Sequence, residues 1–148
     1  MILISACLLG VCCRFDGKTS IHKNIQVLRE REILIPVCPE QLGGLPTPRA
    51  PAEISEGNGM DVLLKKARVI NAEGADVTAH FIAGAEQTLF IARTLGIYRA
   101  VLKERSPSCG IRCNKKGDRI IAGIGVTAAL LKQHGIQIIS SEDINEYP

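Results

Sequence analysis

The sequence predicts an α/β fold, a single domain built on an open, mostly parallel sheet flanked by helices, with small β-hairpin insertions. Three observations lead there. Short apolar runs rich in β-branched residues recur at 1–6, 33–37, 97–102 and 136–139. Stretches with helical spacing separate them, led by Ile21, by Thr78 and by Val126. Glycine, proline or polar clusters close most of these runs, as strand and helix ends require. Strand, helix, strand is the βαβ unit, so the first two strands should be parallel, joined by a right-handed crossover.

Residues 1–6 are the first strand, and Leu8 to Lys18 is a loop holding Gly10, Gly17 and the adjacent Cys12 and Cys13. Ser20 is the expected N-cap of the first helix, where a hydroxyl can accept from a free N–H. Ile21, Ile25 and Leu28 share its apolar face, and Arg29 to Glu32 its solvated one. Ile33-Leu34-Ile35-Pro36-Val37 is the second strand and delivers Cys38-Pro39-Glu40 at its end. From Gln41 to Gly59 the pattern disappears, and Gly43-Gly44, Pro46, Pro48 and Pro51 prevent a regular helix. Long structureless loops in compact domains are usually functional or disordered. This one carries Arg49 and Glu53 and reads as a site loop.

Residues 67–71 and 75–77 are expected to form a hairpin around Glu73-Gly74. Thr78 then caps a helix with Phe81, Ala85, Leu89 and Ala92 on one face and Gly96 as its stop. The third main strand is 97–102, and a second hairpin near Asn114 to Ile121 turns at Lys115-Lys116-Gly117. Val126 to His134 is the last helix and Ile136 to Ile139 the last strand. Gly135, between them, takes the left-handed conformation that costs glycine little.

Composition limits the function. A chain of 148 residues is read as one domain, 1–148, and buries roughly 70% of its unfolded surface without disulfide staples. Its core is aliphatic, since the chain is 46% hydrophobic with three Phe, two Tyr and no Trp. A net charge of +3 predicts neither stable nucleic-acid binding nor a membrane surface. No apolar run approaches the ~20 residues of a transmembrane helix. The N-terminus lacks the basic region of a secretory signal, so a cytoplasmic protein is expected. In that reducing compartment, six cysteines point to ligands, catalysts or core residues.

Ligands of open parallel sheets bind beyond the carboxyl ends of the strands. Three apolar runs end there near a cysteine: the first at Ser5-Ala6-Cys7, the second at Cys38, the third at Ser106-Pro107-Ser108-Cys109. Cys7, Cys38 and Cys109 are therefore expected to meet at one edge and hold an iron–sulfur cluster. Thiolates suit zinc as well, and spacing alone does not choose between them. No paired Cys-x-x-Cys pattern is present, and His22, His80 and His134 are dispersed on helix patterns. Cys12 and Cys13 are neighbours in an extended segment, so at most one should face the site. Cys113, four residues past Cys109, reads as incidental. Glu40 follows a rigid proline at a strand end, a place for a general base or acid, with an Arg49 ion pair as the plainer role. Ser106 and Ser108 can hydrogen-bond a substrate or close the turn. Helix N-termini at the same edge should favour an anionic ligand.

These blocks carry a resemblance. Ser-Ala-Cys-Leu-Leu-Gly (5–10), Cys-Arg-Phe-Asp-Gly (13–17), Cys-Pro-Glu (38–40), Pro-Arg-Ala-Pro-Ala-Glu-Ile (48–54) and Lys-Glu-Arg-Ser-Pro-Ser-Cys-Gly (103–110) resemble the thiouracil desulfidase (TudS-like) family nearly end to end. The resemblance implies a Rossmann-like fold and a 4Fe–4S cluster on Cys7, Cys38 and Cys109, with the fourth iron open. It implies non-redox removal of sulfur from a thiolated base such as 2-thiouracil, giving uracil and hydrogen sulfide. The catalytic glutamate falls on Glu40 and the catalytic serine on the Ser106-Pro107-Ser108 turn, where Ser106 is the first candidate and Ser108 the second. Phe15 departs from the tyrosine that the family often carries there. The partner implied is a small thiolated base, with oligomerisation left open. Two rival readings remain: a non-catalytic iron–sulfur or zinc module that senses redox state or assists a partner, and a metal-free thiol transferase.

Overall fold

The first strand shows how the layers are built. In a computed structural model describing residues 1–147, β1 (Ile2–Ser5) is fully buried. Its side chains alternate between two apolar layers. Leu3 joins Leu89, Ala92, Leu102, Ala128 and Leu131 on one face, while Ile2 and Ile4 join Leu28, Val101 and Ile144 on the other. A strand buried on both faces must be apolar throughout, which the Ile-Leu-Ile run supplies.

β1 pairs in parallel with β2 (Leu34–Val37) and with β5 (Arg99–Leu102), and β5 pairs in parallel with β8 (Gln137–Ser140). The order is β2-β1-β5-β8, so the expected parallel βαβ unit is present. Pro36 lacks an N–H yet sits inside β2, which the edge position permits. The helix α1 (Ile25–Arg31) packs against one face. α4 (Thr78–Thr94) and α5 (Val126–Gln133) cover the other. A third apolar cluster, with Phe81, Ala85, Val62 and Val69, seats α3 (Gly59–Leu63) and a small sheet against them. No helix among the described residues is long and apolar enough to cross a membrane.

Several elements differ from expectation. Ser20 does not cap α1. Its hydroxyl accepts from Arg14 Nη1 at 2.8 Å, and the helix starts later, at Ile25. Thr78 does not cap α4 either. Its N–H goes to Asp76 Oδ1 at 2.9 Å and its hydroxyl accepts from Val69 N at 2.9 Å. The segment 41–59 is not wholly irregular. Pro39–Leu42 forms a single turn, α2, which ends inside it, and Ala52–Ile54 forms β3. β3 takes β4 (Val69–Asn71) as its antiparallel partner. The expected hairpin around Glu73-Gly74 also forms: Asn71 N donates to Ala75 O and Val77 N to Val69 O, both at 2.9 Å, about an Ile70–Asp76 bridge, so β4 is paired on both edges. The second expected hairpin forms from β6 (Cys113–Lys116) and β7 (Arg119–Ala122). A last 3-10 segment, Ser141–Glu146, was not expected.

Candidate active site

The strand ends converge. Past β1 the chain enters a 3-10 turn, Ala6–Leu9, that carries Cys7 and is stopped by Gly10 at φ +102. Past β2, Cys38 precedes α2 with extended backbone, and Pro39 takes the first helical position, where its missing N–H is harmless. Past β5, Ser106 folds its own turn: its Oγ accepts from Ser108 N at 3.2 Å and Cys109 N at 3.0 Å. The carbonyls of Pro107 and Ser108 then accept from Val126, Thr127 and Ala128 N–H at 2.9, 2.9 and 3.2 Å. The first N–H groups of α5 are thus used to hold this turn, not to face an anionic ligand as expected.

These turns wall a cavity of about 780 Å³ lined by Cys7, Cys13, Cys38 and Cys109 together with Glu40, Arg49, Ser106 and Ser108. The three cysteines expected at the edge are all there. So is Cys13, while its neighbour Cys12 is exposed at the centre of a tight turn closed by Cys13 N to Val11 O at 2.9 Å, so only one of the two faces the site. Cys113 lies outside the lining, with its sulfur 3.8 Å from Glu104 Oε2. None of His22, His80 or His134 lines the cavity. Glu40 does form the ion pair with Arg49, at 2.5 Å from Nη2.

The thiols sense one another. A hydrogen bond from Cys13 pulls the Cys7 thiol down, against burial and the charges of Cys109 and Cys38. Cys38 is pushed up by its hydrogen bond with Cys13 and by burial. Burial pushes Cys109 up to about 12. For Cys13, the Cys38 hydrogen bond lowers the thiol, but the Cys7 hydrogen bond and burial outweigh it and lift it to about 11. Raised values at Cys38 and Cys109 are the reverse of what a thiol nucleophile needs, which counts against a metal-free transferase using either. Metal binding would have to displace these protons.

The donor set fits a cluster. All the ligand candidates are soft thiols, the donors iron–sulfur cores take. Among the described residues, no three His, Cys, Asp or Glu side chains are grouped to hold a single metal ion. Ligands of a polynuclear core bind different irons and stand apart across it, as the separate walls of this cavity allow.

Sequence reasoning passed over Ser5 and Lys103. Ser5 is buried, lines the cavity, and accepts from Lys103 N at 3.0 Å. The Lys103 ammonium lines the cavity and lowers Cys7 by its charge. Both follow from the rule that found the cysteines, since they occupy the carboxyl ends of neighbouring strands. Ser108, in contrast, is buried, with its Oγ 2.9 Å from Thr127 Oγ1.

The profile of the 2-thiouracil desulfurase family matches residues 2–143. The chain belongs to that family. One family relative by sequence is the uncharacterized protein YbbK of Bacillus subtilis (strain 168), 44% identical over 149 residues and covering 99% of both chains. A solved structure, the [4Fe-4S]-dependent thiouracil desulfidase TudS, is 41% identical with a TM-score of 0.84, covering 98% of this chain and 93% of that one.

Proposed function

We propose that this protein is a desulfidase that replaces the sulfur of a thiolated base, such as 2-thiouracil, by oxygen. The observation that carries this is the meeting of Cys7, Cys38, Cys109 and Glu40 on one cavity, in a chain of this family. Cys7, Cys38 and Cys109 are the residues that would hold a 4Fe–4S cluster. When bound with one iron open, that group supplies a thiophilic Lewis acid for the thiocarbonyl sulfur.

The chain's own residues do the rest. Glu40 takes a proton from the water whose oxygen adds to the ring carbon. The carbon–sulfur bond then breaks, and sulfide leaves as hydrogen sulfide, so thiobase and water give oxo base and hydrogen sulfide with no electron consumed. Ser106 Oγ accepts two backbone N–H groups, which leaves its own proton to donate to a ring heteroatom. We favour Ser106 over Ser108 for this role because the Ser108 hydroxyl is engaged with Thr127. The Lys103 ammonium favours the developing negative charge on sulfur.

Anaerobic purification, with iron and inorganic sulfide assays and a thiobase panel, tests the proposal. Cys7→Ser, Cys38→Ser and Cys109→Ser should each lose the cluster, whereas Cys113→Ser should keep it. Glu40→Gln should keep its iron and lose about 10²-fold or more in turnover. A colourless, iron-free wild type under these conditions would end the reading.

A further inference from the structure

We infer that Arg49 is the positioning residue for Glu40: it grips one carboxylate oxygen and leaves the other to take the proton from water. This rests on the reading of Glu40 as the base. Arg49 is a charged side chain only 7% exposed. Its Nε and Nη2 both reach the same oxygen, Oε2 of Glu40, at 2.6 and 2.5 Å. Oε1 accepts no hydrogen bond among the described residues, and Glu40 lines the cavity.

An arginine that merely neutralised a carboxylate would set its fork against both oxygens, one nitrogen to each. Here the remaining donors are committed elsewhere. Nη1 donates to Pro46 O at 3.1 Å and to Thr47 Oγ1 at 3.1 Å, and Nη2 also donates to Cys13 O at 2.9 Å. The main-chain N–H of Arg49 donates to Phe15 O at 2.8 Å. The guanidinium is therefore fixed from three sides, by the loop at 13–15, the loop at 46–49 and the Cys38-Pro39-Glu40 turn. With Oε2 pinned, the carboxylate cannot spin, and Oε1 is held in one orientation to receive a proton from the attacking water. Lysine keeps the charge but offers one nitrogen on a flexible stem, so it cannot hold all these acceptors at once.

The test compares wild type, Arg49→Lys, Arg49→Ala and Glu40→Gln, each reconstituted anaerobically with iron and sulfide. Hydrogen sulfide release from 2-thiouracil, iron content and the visible spectrum are measured together. Arg49→Lys should retain wild-type iron, sulfide and spectrum while kcat falls about 10- to 100-fold, the loss expected from an ångström of misplacement. Its KM should move less than about threefold, since an interaction that serves the transition state is the one removed. Millimolar guanidinium should restore Arg49→Ala by about fivefold or more, because it refills the donor position. A full cluster with kcat within about twofold of wild type in Arg49→Lys overturns the inference, and so does a rate loss that merely tracks lost iron. Absence of guanidinium rescue in a folded Arg49→Ala overturns it too. Should Arg49→Ala fail to fold, the lysine variant decides alone. If Glu40→Gln turns over normally, the base assignment fails and Arg49 falls with it. A slow Glu40→Gln beside a fast Arg49→Lys removes Arg49 only.

Discussion

Gly84→Ala separates local propensity from packing. Gly84 lies in the interior of α4, where alanine favours an isolated helix by about 1 kcal/mol. Yet a Cβ built at Gly84 meets the carbonyl oxygen of Pro39 at 1.9 Å, whereas ordinary contact begins at 3.4 Å. About 1.5 Å of movement is required, and the obstacle is backbone. Pro39 stands between Cys38 and Glu40, so the shift passes directly to a cavity thiol and the carboxylate. Overpacking of this kind costs about 1–3 kcal/mol, which outweighs the propensity gain. A displacement above 1 Å at the reacting groups costs about 10²-fold in rate. The expected variant is folded, melts lower by about 2–4 °C per kcal/mol lost, and releases sulfide from 2-thiouracil at least about tenfold more slowly. Glu86→Ala, exposed on the same helix, is the control and should match wild type in both assays. A Gly84→Ala protein with unchanged melting and turnover would refute the reasoning.

Other substitutions probe the scaffold. Glu104 is 2% exposed, and its carboxylate accepts from Ile111, Arg112 and Cys113 N–H at 3.2, 3.2 and 3.4 Å. Glu104→Gln turns a donor toward those donors and should cost about 2–3 kcal/mol in urea unfolding, with an unshifted midpoint counting against the role. Glu32 is held down to about 2 by the Tyr147 hydroxyl, the N-terminal ammonium and Arg99. A depressed carboxylate stabilises the fold above its ordinary 4.5, and that gain vanishes as pH falls toward about 2. Allowing for solvent screening, the contribution is about 1–2 kcal/mol. The stability gap between wild type and Glu32→Gln should therefore close between pH 5 and 2, and a gap independent of pH would contradict it.

What the sequence made legible was local or periodic. Phe81, Ala85, Leu89 and Ala92 of α4 are buried as their spacing implied. The strand runs announced the parallel sheet, and the strand-end rule placed Cys7, Cys38 and Cys109 on one cavity. Failures arose where a contact outside the periodic pattern decided the outcome. Ser20 looks like a cap, but the Arg14 guanidinium takes its hydroxyl. Val69–Asn71 does close its hairpin with 75–77, but the pairing of its other edge with Ala52–Ile54, far along the chain, leaves no mark in the local spacing. The double grip of Arg49 on one oxygen of Glu40 depends on loop geometry that no spacing rule encodes.

Glu32 lies just before β2 and Arg99 opens β5, so the Glu32–Arg99–Tyr147 knot sits at the opposite border of the sheet from the thiols. Durability and reactivity thus have separate addresses in this molecule. An engineer could harden the lower rim against acid without touching the upper one, and drift below would shorten the protein's working life while leaving each turnover as fast as before.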